Sequence, residues 1–255
     1  MRYTNIIEES TWSYSRITQY ESCPYGFFLK YIRKTSPCRH FFSDYGSFMH
    51  RIIQKYLEKE LTSEELATFY LTNFYQEVRE RAPTIEIFQD YFTQGLEYSR
   101  DIKIPQGEVL GIEQNMIFDV EGIPFTSFVD LITQDNGVCI TDNKSRKLKQ
   151  RSNRKKPTKS DKELDKYLRQ LYLYSIPIEQ QYGCFPKELI FNCFRSKELI
   201  VEPFNIEKFY ETKKWALNTI NDISLESEWK PDISWFKCKY LCDCNHKCEY
   251  WQMFN

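Results

Sequence analysis

Two acids and a lysine are the residues of this 255-residue chain best placed to do chemistry: Asp130 in "FVDLI", and Asp142 with Lys144 in "ITDNK". Asp130 and Asp142 each lie in or at the end of a short apolar run, and the second run turns at once into cations ("GVCITDNKSRKLKQRSNRKK", residues 137–156). Asn136-Gly137 is a hairpin signal, with Gly137 as the left-handed residue of a three-residue loop. In that register residue 134 faces 138 and Asp130 faces Asp142, with opposed Cβ atoms about 5 Å apart. A two-residue loop would make the acids diagonal neighbours instead. Like charges this close repel unless a cation lies between them, and Lys144, two residues beyond Asp142, projects from the same face. Oxygen ligands suit Mg²⁺ or Mn²⁺. Such an ion lowers the pKa of bound water and offsets charge at phosphorus, while Lys144 can orient the water or stabilise the pentavalent state. This is the chemistry of phosphodiester hydrolysis. An exposed, inert strand end also matches D-x-K, so the surrounding elements must decide.

Those elements divide the chain coarsely. Residues 1–105 read as helical: Phe48, Met49, Ile52, Ile53, Tyr56 and Leu57 recur at helical spacing behind Asp44 as a cap, and further helices are expected near 63–80 and 84–100. From about residue 108 the period changes to that of strands, in "EVLGIEQNMIFDV", "IPFTSFVDLIT" and "GVCIT". Ser160-x-x-Glu163 reads as a capping box for a helix to about Ile178. Strands near 188–194 and 197–202, a helix over 206–222 and a cysteine-rich tail complete the chain. Without repeats or a Gly/Ser linker this is one unit: a helical region (1–105), a sheet core (106–205) and a tail (206–255).

Net charge is −1, yet residues 143–160 hold nine Lys or Arg and no acid, leaving the remainder at −10. A cationic segment on an acidic body is either a solvated loop or a device for a polyanion. On the second reading Lys147, Lys149, Arg151, Arg154, Lys155 and Lys156 hold a DNA backbone. No membrane span or signal peptide is evident. A reducing, cytoplasmic setting is therefore expected, where the nine cysteines are metal ligands or buried thiols rather than disulfides.

Five motifs in order carry a resemblance: "SYSRITQYESCPYGFFLKYI", "GSFMH" with Gly46 and His50, "FVDLI", "DNK", and "QLYLY" with Gln170 and Tyr174. Together they resemble the PD-(D/E)XK nuclease superfamily, in its RecB-like exonuclease branch with the AddB-type domains and the nucleases of CRISPR adaptation. The resemblance covers nearly the whole chain and implies an α/β fold: a restriction-endonuclease-like mixed sheet, an N-terminal helical region and a C-terminal Cys-rich cluster segment. It implies Asp130, Asp142 and Lys144 as the catalytic set, His50 as a further metal ligand or a phosphate contact, and the Asn143 carbonyl as a further metal ligand. Gln170 and Tyr174, four apart on one helix face, would contact DNA or position the catalytic groups, with Leu164, Leu168 and Leu171 turned to the sheet. Glu113 in "GIEQ" aligns with an acid common in the family, although a strand Glu facing solvent fits equally. Val129 stands where the superfamily name has proline, as is common in this branch.

In the tail, "WFKCKYLCDCNHKCEYW", the resemblance implies a [4Fe-4S] cluster held by Cys23, Cys238, Cys242 and Cys248. The spacing departs from the family's: C-x₃-C replaces C-x₂-C, and Cys244 is an alternative third ligand. A local Zn²⁺ knuckle of Cys238, Cys242, Cys244 and Cys248, with or without His246, is the rival. Cys38, Cys139, Cys184 and Cys193 read as packing residues. The expected function is metal-dependent DNA cleavage, exonucleolytic on single strands or ends, in recombination, repair, phage DNA processing or CRISPR adaptation. Lacking a P-loop motif, the chain would need a separate helicase for unwinding, or integrase partners in CRISPR adaptation. The alternative is an inactive DNA-binding or scaffold protein that keeps the fold and a zinc or iron–sulfur site.

Overall fold

The computed structural model describes residues 10–254. Helix α1 (Tyr14–Ser22) gives way at Cys23 to α2 (Pro24–Phe27), which widens into a π-helical turn over Phe28–Ile32. Three longer helices follow: α3 (Phe41–Leu57), α4 (Ser63–Glu77) and α5 (Ile85–Arg100). The strands are β1 (Glu108–Val120), β2 (Ile123–Gln134) and β3 (Val138–Asn143), then β4 (Glu188–Cys193) and β5 (Glu198–Pro203) after helix α6 (Lys159–Tyr182). Helix α7 (Ile206–Leu225) and short helices α8 (Trp235–Tyr240) and α9 (Glu249–Phe254) end the described chain.

One five-stranded sheet runs in the order β1-β2-β3-β4-β5. Its pairs are antiparallel except β3 with β4, which are parallel and joined through α6, as a parallel connection requires. The expected mixed α/β architecture is therefore present. The β2–β3 register is the expected one, Gln134 opposite Val138 through Leu131 opposite Thr141. In the loop Asn136 takes the left-handed position at φ 48° and Gly137 lies at φ 140°, a region that essentially only glycine enters.

The two faces of the sheet bury different cores, because successive side chains on a strand point to opposite sides. Leu131 joins Phe48, Ile52, Phe74 and Tyr98 beneath α3, α4 and α5, whereas Ile132 and Ile140 join Leu168, Leu171 and Ala216 beneath α6 and α7. Leu164 is buried in the latter core as well. Two expected caps are displaced. Helix α3 begins at Phe41, its first turn closed by Ser43 Oγ accepting from His40 N–H. Asp44 lies buried inside that helix, 2.8 Å from Arg39 Nε. Helix α6 is capped by Thr158, and Asp161 rather than Glu163 is the reciprocal acid. Asp161 accepts from Ser152 and Thr158, which hold its carboxyl well below the usual range. A sequence window misses this because the cap is selected by the loop folding back, not by local spacing. Cys139 and Cys193 are buried as expected, but Cys184 is exposed and packs nothing. No helix among the described residues is long and apolar enough to cross a membrane.

Candidate active site and thiol cavity

Asp130 is the centre of the site because of where the strands place it. On one side the register sets it opposite Glu113, between the pairs Ile112–Leu131 and Gln114–Val129. On the other it faces Asp142, one step beyond Leu131–Thr141. Three carboxylates thus stand abreast on three strands. Glu113 holds a left-handed backbone, φ 46°, a strained choice for a residue with a Cβ and one that clusters at functional sites. Asp130 Oδ2 accepts from Asn143 N–H at 2.6 Å. From α3, His50 Nδ1 reaches to 3.6 Å from both Glu113 and Asp130, while Nε2 lies 3.1 Å from the Asn143 carbonyl. Ligand atoms of His50, Glu113 and Asp130 all lie within 4.8 Å of one another.

Asp142 turns to a second set of partners. Its Oδ2 lies 2.6 Å from Lys144 Nζ, and its Oδ1 accepts from Gln170 Nε2 at 2.6 Å. Gln170 Oε1 in turn accepts from Lys144 Nζ at 2.8 Å, and Gln170 Nε2 donates to the Tyr174 hydroxyl at 2.9 Å. Both ends of the Gln170 amide thus have protein partners. Behind the site, Asn192 Nδ2 donates to Asn143 Oδ1 and to the Tyr98 hydroxyl. The parallel pairing of β3 with β4 brings Asn192 there, and nothing local in the sequence marks it.

The electrostatics are unbalanced in favour of an added cation. Burial first, and then the Asp142 charge, push the Asp130 carboxyl up to about 7. At His50 burial works against the imidazolium, but Glu113, Asp130 and Asp142 outweigh it and raise the pKa to about 9. Asp142 Oδ2 is buried, and the Lys144 ammonium 2.6 Å away is its close partner. Three acids and a backbone carbonyl are hard oxygen donors suited to Mg²⁺ or Mn²⁺, with the borderline His50 imidazole beside them. The residues present fit such an ion.

Comparison with known proteins agrees with this geometry: the model of the PD-(D/E)XK nuclease superfamily matches residues 11–251. The chain belongs to that superfamily. Its fold is similar to the crystal structure of a candidate exonuclease from Eubacterium rectale, at TM-score 0.54 and 15% identity, over 96% of this chain and 90% of that one. A second solved structure, SSO0001, is matched at TM-score 0.30 and 16% identity, over 80% of this chain and 95% of that one. No curated protein matches the sequence.

This PD-(D/E)XK chain carries a second cluster of acids, its thiols. A cavity of about 180 Å³ is walled by Cys23, Cys238, Cys242 and Cys248 together with apolar Leu29, Ile233 and Trp251. Cys23 caps α2, and its Sγ accepts from Gly26 N–H at 3.3 Å and Asp232 N–H at 3.4 Å. At Gly26 a Cβ would stand 2.8 Å from Gln19 Nε2, so a larger residue there would push the Gln19 amide aside. Burial, with added repulsion from Asp243 and then Cys23 and Cys238, pushes the Cys242 thiol up to about 11; the Cys248 thiol is raised by burial and the same two cysteines. Cys244 is not on the cavity wall. It is 1% exposed and belongs to the core cluster that includes Phe27 and Leu29. Cys38 is half-buried, its Sγ 3.3 Å from Asn245 Oδ1 and its N–H bonded to the Asp243 carbonyl, so it braces the tail rather than filling a core.

Of the six cations expected to hold DNA, Arg151 is the one with clear protein partners: Nε meets Glu202 Oε2 at 2.7 Å and Nη2 meets Asp165 Oδ1 at 2.8 Å. Arg154, Lys155 and Lys156 are exposed.

Proposed function

We propose that this chain is a divalent-metal-dependent DNA exonuclease of the RecB-like branch, acting on single strands or DNA ends. The observation that carries the reading is the convergence of His50, Glu113 and Asp130 beside the Asp142–Lys144–Gln170 network. An inert scaffold has no need of abutting buried acids left short of positive charge.

Glu113, Asp130, Asp142, His50 and the Asn143 carbonyl are the groups that would hold Mg²⁺ or Mn²⁺. Such an ion, when bound, supplies a water of lowered pKa and a counter-charge for the phosphate. With two of its N–H groups on Asp142 and Gln170, Lys144 would offer the third to a non-bridging phosphate oxygen, where charge grows in the transition state. Gln170 fixes the direction of Lys144 by accepting one of its protons, and fixes Asp142 through its amide N–H. Tyr174 stays protonated, because burial and the Asp142 charge raise its pKa well above the ordinary tyrosine range. Its hydroxyl therefore braces Gln170 and does not act as a base.

The four cavity cysteines are the proposed [4Fe-4S] ligands, with Cys242 and not Cys244 as the third. Around one zinc, thiolates at about 2.3 Å stand roughly 3.8 Å apart. No three cysteine sulfurs among the described residues lie within 4.8 Å of one another. The tail-only zinc knuckle draws on Cys244, which is off the cavity wall, whereas Cys23 is on it with the other three, and this supports the four-cysteine cluster. Unwinding or integration would be the work of separate partners, a helicase or CRISPR integrase proteins.

The test is cleavage of end-labelled single- and double-stranded DNA with Mg²⁺, Mn²⁺ or EDTA. Stepwise shortening that needs the metal and stops in Asp142→Ala supports the reading. Wild-type cleavage by Asp142→Ala in Mn²⁺ would sink it.

A further inference from the structure

A large cleft of about 1020 Å³ lies beside the active site, between α1 and α6. Four of its cations, Lys159, Lys162, Lys166 and Arg169, recur at intervals of three and four along α6 and so share one face. Ten residues at ~1.5 Å rise make that stripe about 15 Å long, enough for two or three successive phosphates of an extended strand. Lys159, Lys162 and Lys166 are exposed, and none has an ion-pair partner among the described residues. Of the two acids of the cleft, Glu163 pairs with Arg146 at 2.6 Å, and Glu21, which accepts from Trp215 Nε1 at 2.6 Å, lies 3.7 Å from Arg169 Nη1, so the three lysines are the unpaired part of the stripe. The stripe is thus left with unneutralised positive charge.

An aromatic pair adjoins the stripe, with the Arg169 guanidinium 4.5 Å from the Trp215 ring centroid. Tyr14 and Trp215 stand with ring centroids 6.1 Å apart, and Tyr14 is tied to the stripe through its hydroxyl on the Lys166 carbonyl. The cleft opens on the catalytic groups. Tyr167 lines it and lies 5.7 Å below Lys144 Nζ, and Arg169, where the stripe ends, directly precedes Gln170. Cationic walls tracking a backbone, with aromatic faces for bases, are the features of single-strand binding.

We propose that this cleft is the path of the single-stranded DNA flank leading to the scissile phosphate, with the α6 stripe on the phosphates and Tyr14 and Trp215 against the bases. The proposal rests on the nuclease reading and adds a binding surface to it. The strand approaches along α6, not chiefly along residues 147–156.

Fluorescence anisotropy with a labelled oligothymidylate of about 16 nucleotides, within the span of single-strand sites, tests it on full-length protein over a salt series. Lys159→Gln/Lys162→Gln/Lys166→Gln should weaken binding at least tenfold and lower the log–log salt slope by about 2, at roughly 0.7 for each phosphate no longer neutralised. The triple arginine variant at the same positions should restore the slope. Lys55→Gln/Lys103→Gln/Lys230→Gln removes equal charge elsewhere and should bind as wild type. Trp215→Leu should weaken binding without changing the slope, because stacking releases no counterions. If the glutamine variant keeps the wild-type affinity and slope, or the control variant loses as much, the cleft is not the strand path. Metal-dependent cleavage stopped by Asp142→Ala would then still stand. Conversely, a protein without nuclease activity whose slope falls only in the stripe variant retains the cleft as a DNA site and loses the nuclease reading.

Discussion

The acid site and the thiol cavity pose the same problem with opposite solutions. In each, groups that repel one another when ionised are gathered at a place poor in water. The acid site is assembled from neighbouring strands, so Glu113, Asp130 and Asp142 come together through sheet register. Partial compensation is built in through His50 and Lys144, and the approaches are cationic. The thiol cavity joins residues from the two ends of the chain and is walled by Leu29, Ile233 and Trp251. Lys237, the lysine on its wall, is turned to Asp232 at 3.0 Å and to the Ser22 carbonyl at 2.9 Å. On the proposed reading, the difference separates a site that receives a charged substrate from one that closes the fold.

The largest expected effect follows from the first half of that contrast. Asp130→Ala, Asp142→Ala and Lys144→Ala should each reduce cleavage by at least about 100-fold, the scale of losing one transition-state donor, with the melting temperature held within a few degrees. Gln170→Ala should fall less, because Lys144 keeps its contact with Asp142. Should Gln170→Ala prove as inactive as Lys144→Ala in Mn²⁺, the amide would be touching substrate and its role as a positioning residue would be wrong.

The thiol cavity should show the reverse pattern, stability first. A cluster through Cys23 and the tail closes a loop over nearly the whole chain, which restricts the unfolded state strongly. Cys23→Ser should abolish brown colour, iron and sulfide in anaerobically purified protein and cost about 4 kcal/mol, by analogy with a long covalent loop. The exposed Cys184→Ser should alter neither. Colourless protein with one zinc per chain, unaffected by Cys23→Ser, would overturn the cluster assignment and leave the nuclease reading intact.

Titration distinguishes the two sites without any mutation. Asp130 has a folded pKa raised to about 7, so the fold favours its protonated form. Its stabilising effect is complete below the ordinary carboxylate range and is lost as pH rises from about 4 through 7. His50, raised to about 9, contributes stability that is present below about 6.5 and lost as pH rises through 9. Both trends have the same sign. In EDTA, unfolding stability should therefore decline between about pH 4 and 9 through this site, and Mn²⁺ should flatten the decline. Thiols left without iron act later: Cys242, raised to about 11, loses stability from about pH 8.5 upward. Denaturant melts with and without Mn²⁺ separate the windows, and an unchanged pH profile on adding Mn²⁺ would argue against a metal at Asp130.

Much of the acid site is legible in the sequence because it depends on turn chemistry and short periods. Asn136-Gly137 sets a register that carries Asp130 to Asp142, and a four-residue step puts Gln170 over Tyr174. What stays hidden depends on distance along the chain. The strained backbone at Glu113 answers to its partner strand, and Asn192 arrives only once β4 pairs in parallel with β3. The stripe on α6 escapes a linear reading for another reason. Lys159 begins it inside a dense basic tract, while Lys162, Lys166 and Arg169 alternate with Asp161, Glu163 and Asp165, so the charge cancels along the sequence and separates only on the helix surface. The choice between Cys242 and Cys244 likewise turns on which thiol faces the cavity, a matter of tail conformation that spacing does not decide.

The smallest effect divides the basic tract itself, and it bears on whether the rim of the acid site is a binding surface throughout. Arg151 is half-buried and ties the tract to β5 and α6 through Glu202 and Asp165, the second acid being shared with Lys208 at 2.8 Å. A guanidinium held by two carboxylates is poorly placed to hold phosphate as well. Arg151→Gln should therefore lower stability by about 1 kcal/mol, after discounting for solvent screening at its exposed edge, and leave the salt slope of DNA binding unchanged. Arg154→Gln/Lys155→Gln/Lys156→Gln should do the opposite, with unaltered stability and a slope reduced by up to about 2 if each meets a phosphate. A slope unchanged in both variants would make the whole tract a solvated loop and assign backbone binding to α6 alone. A slope that falls with Arg151→Gln would mean that DNA competes successfully for that guanidinium and that the tract opens when the strand binds.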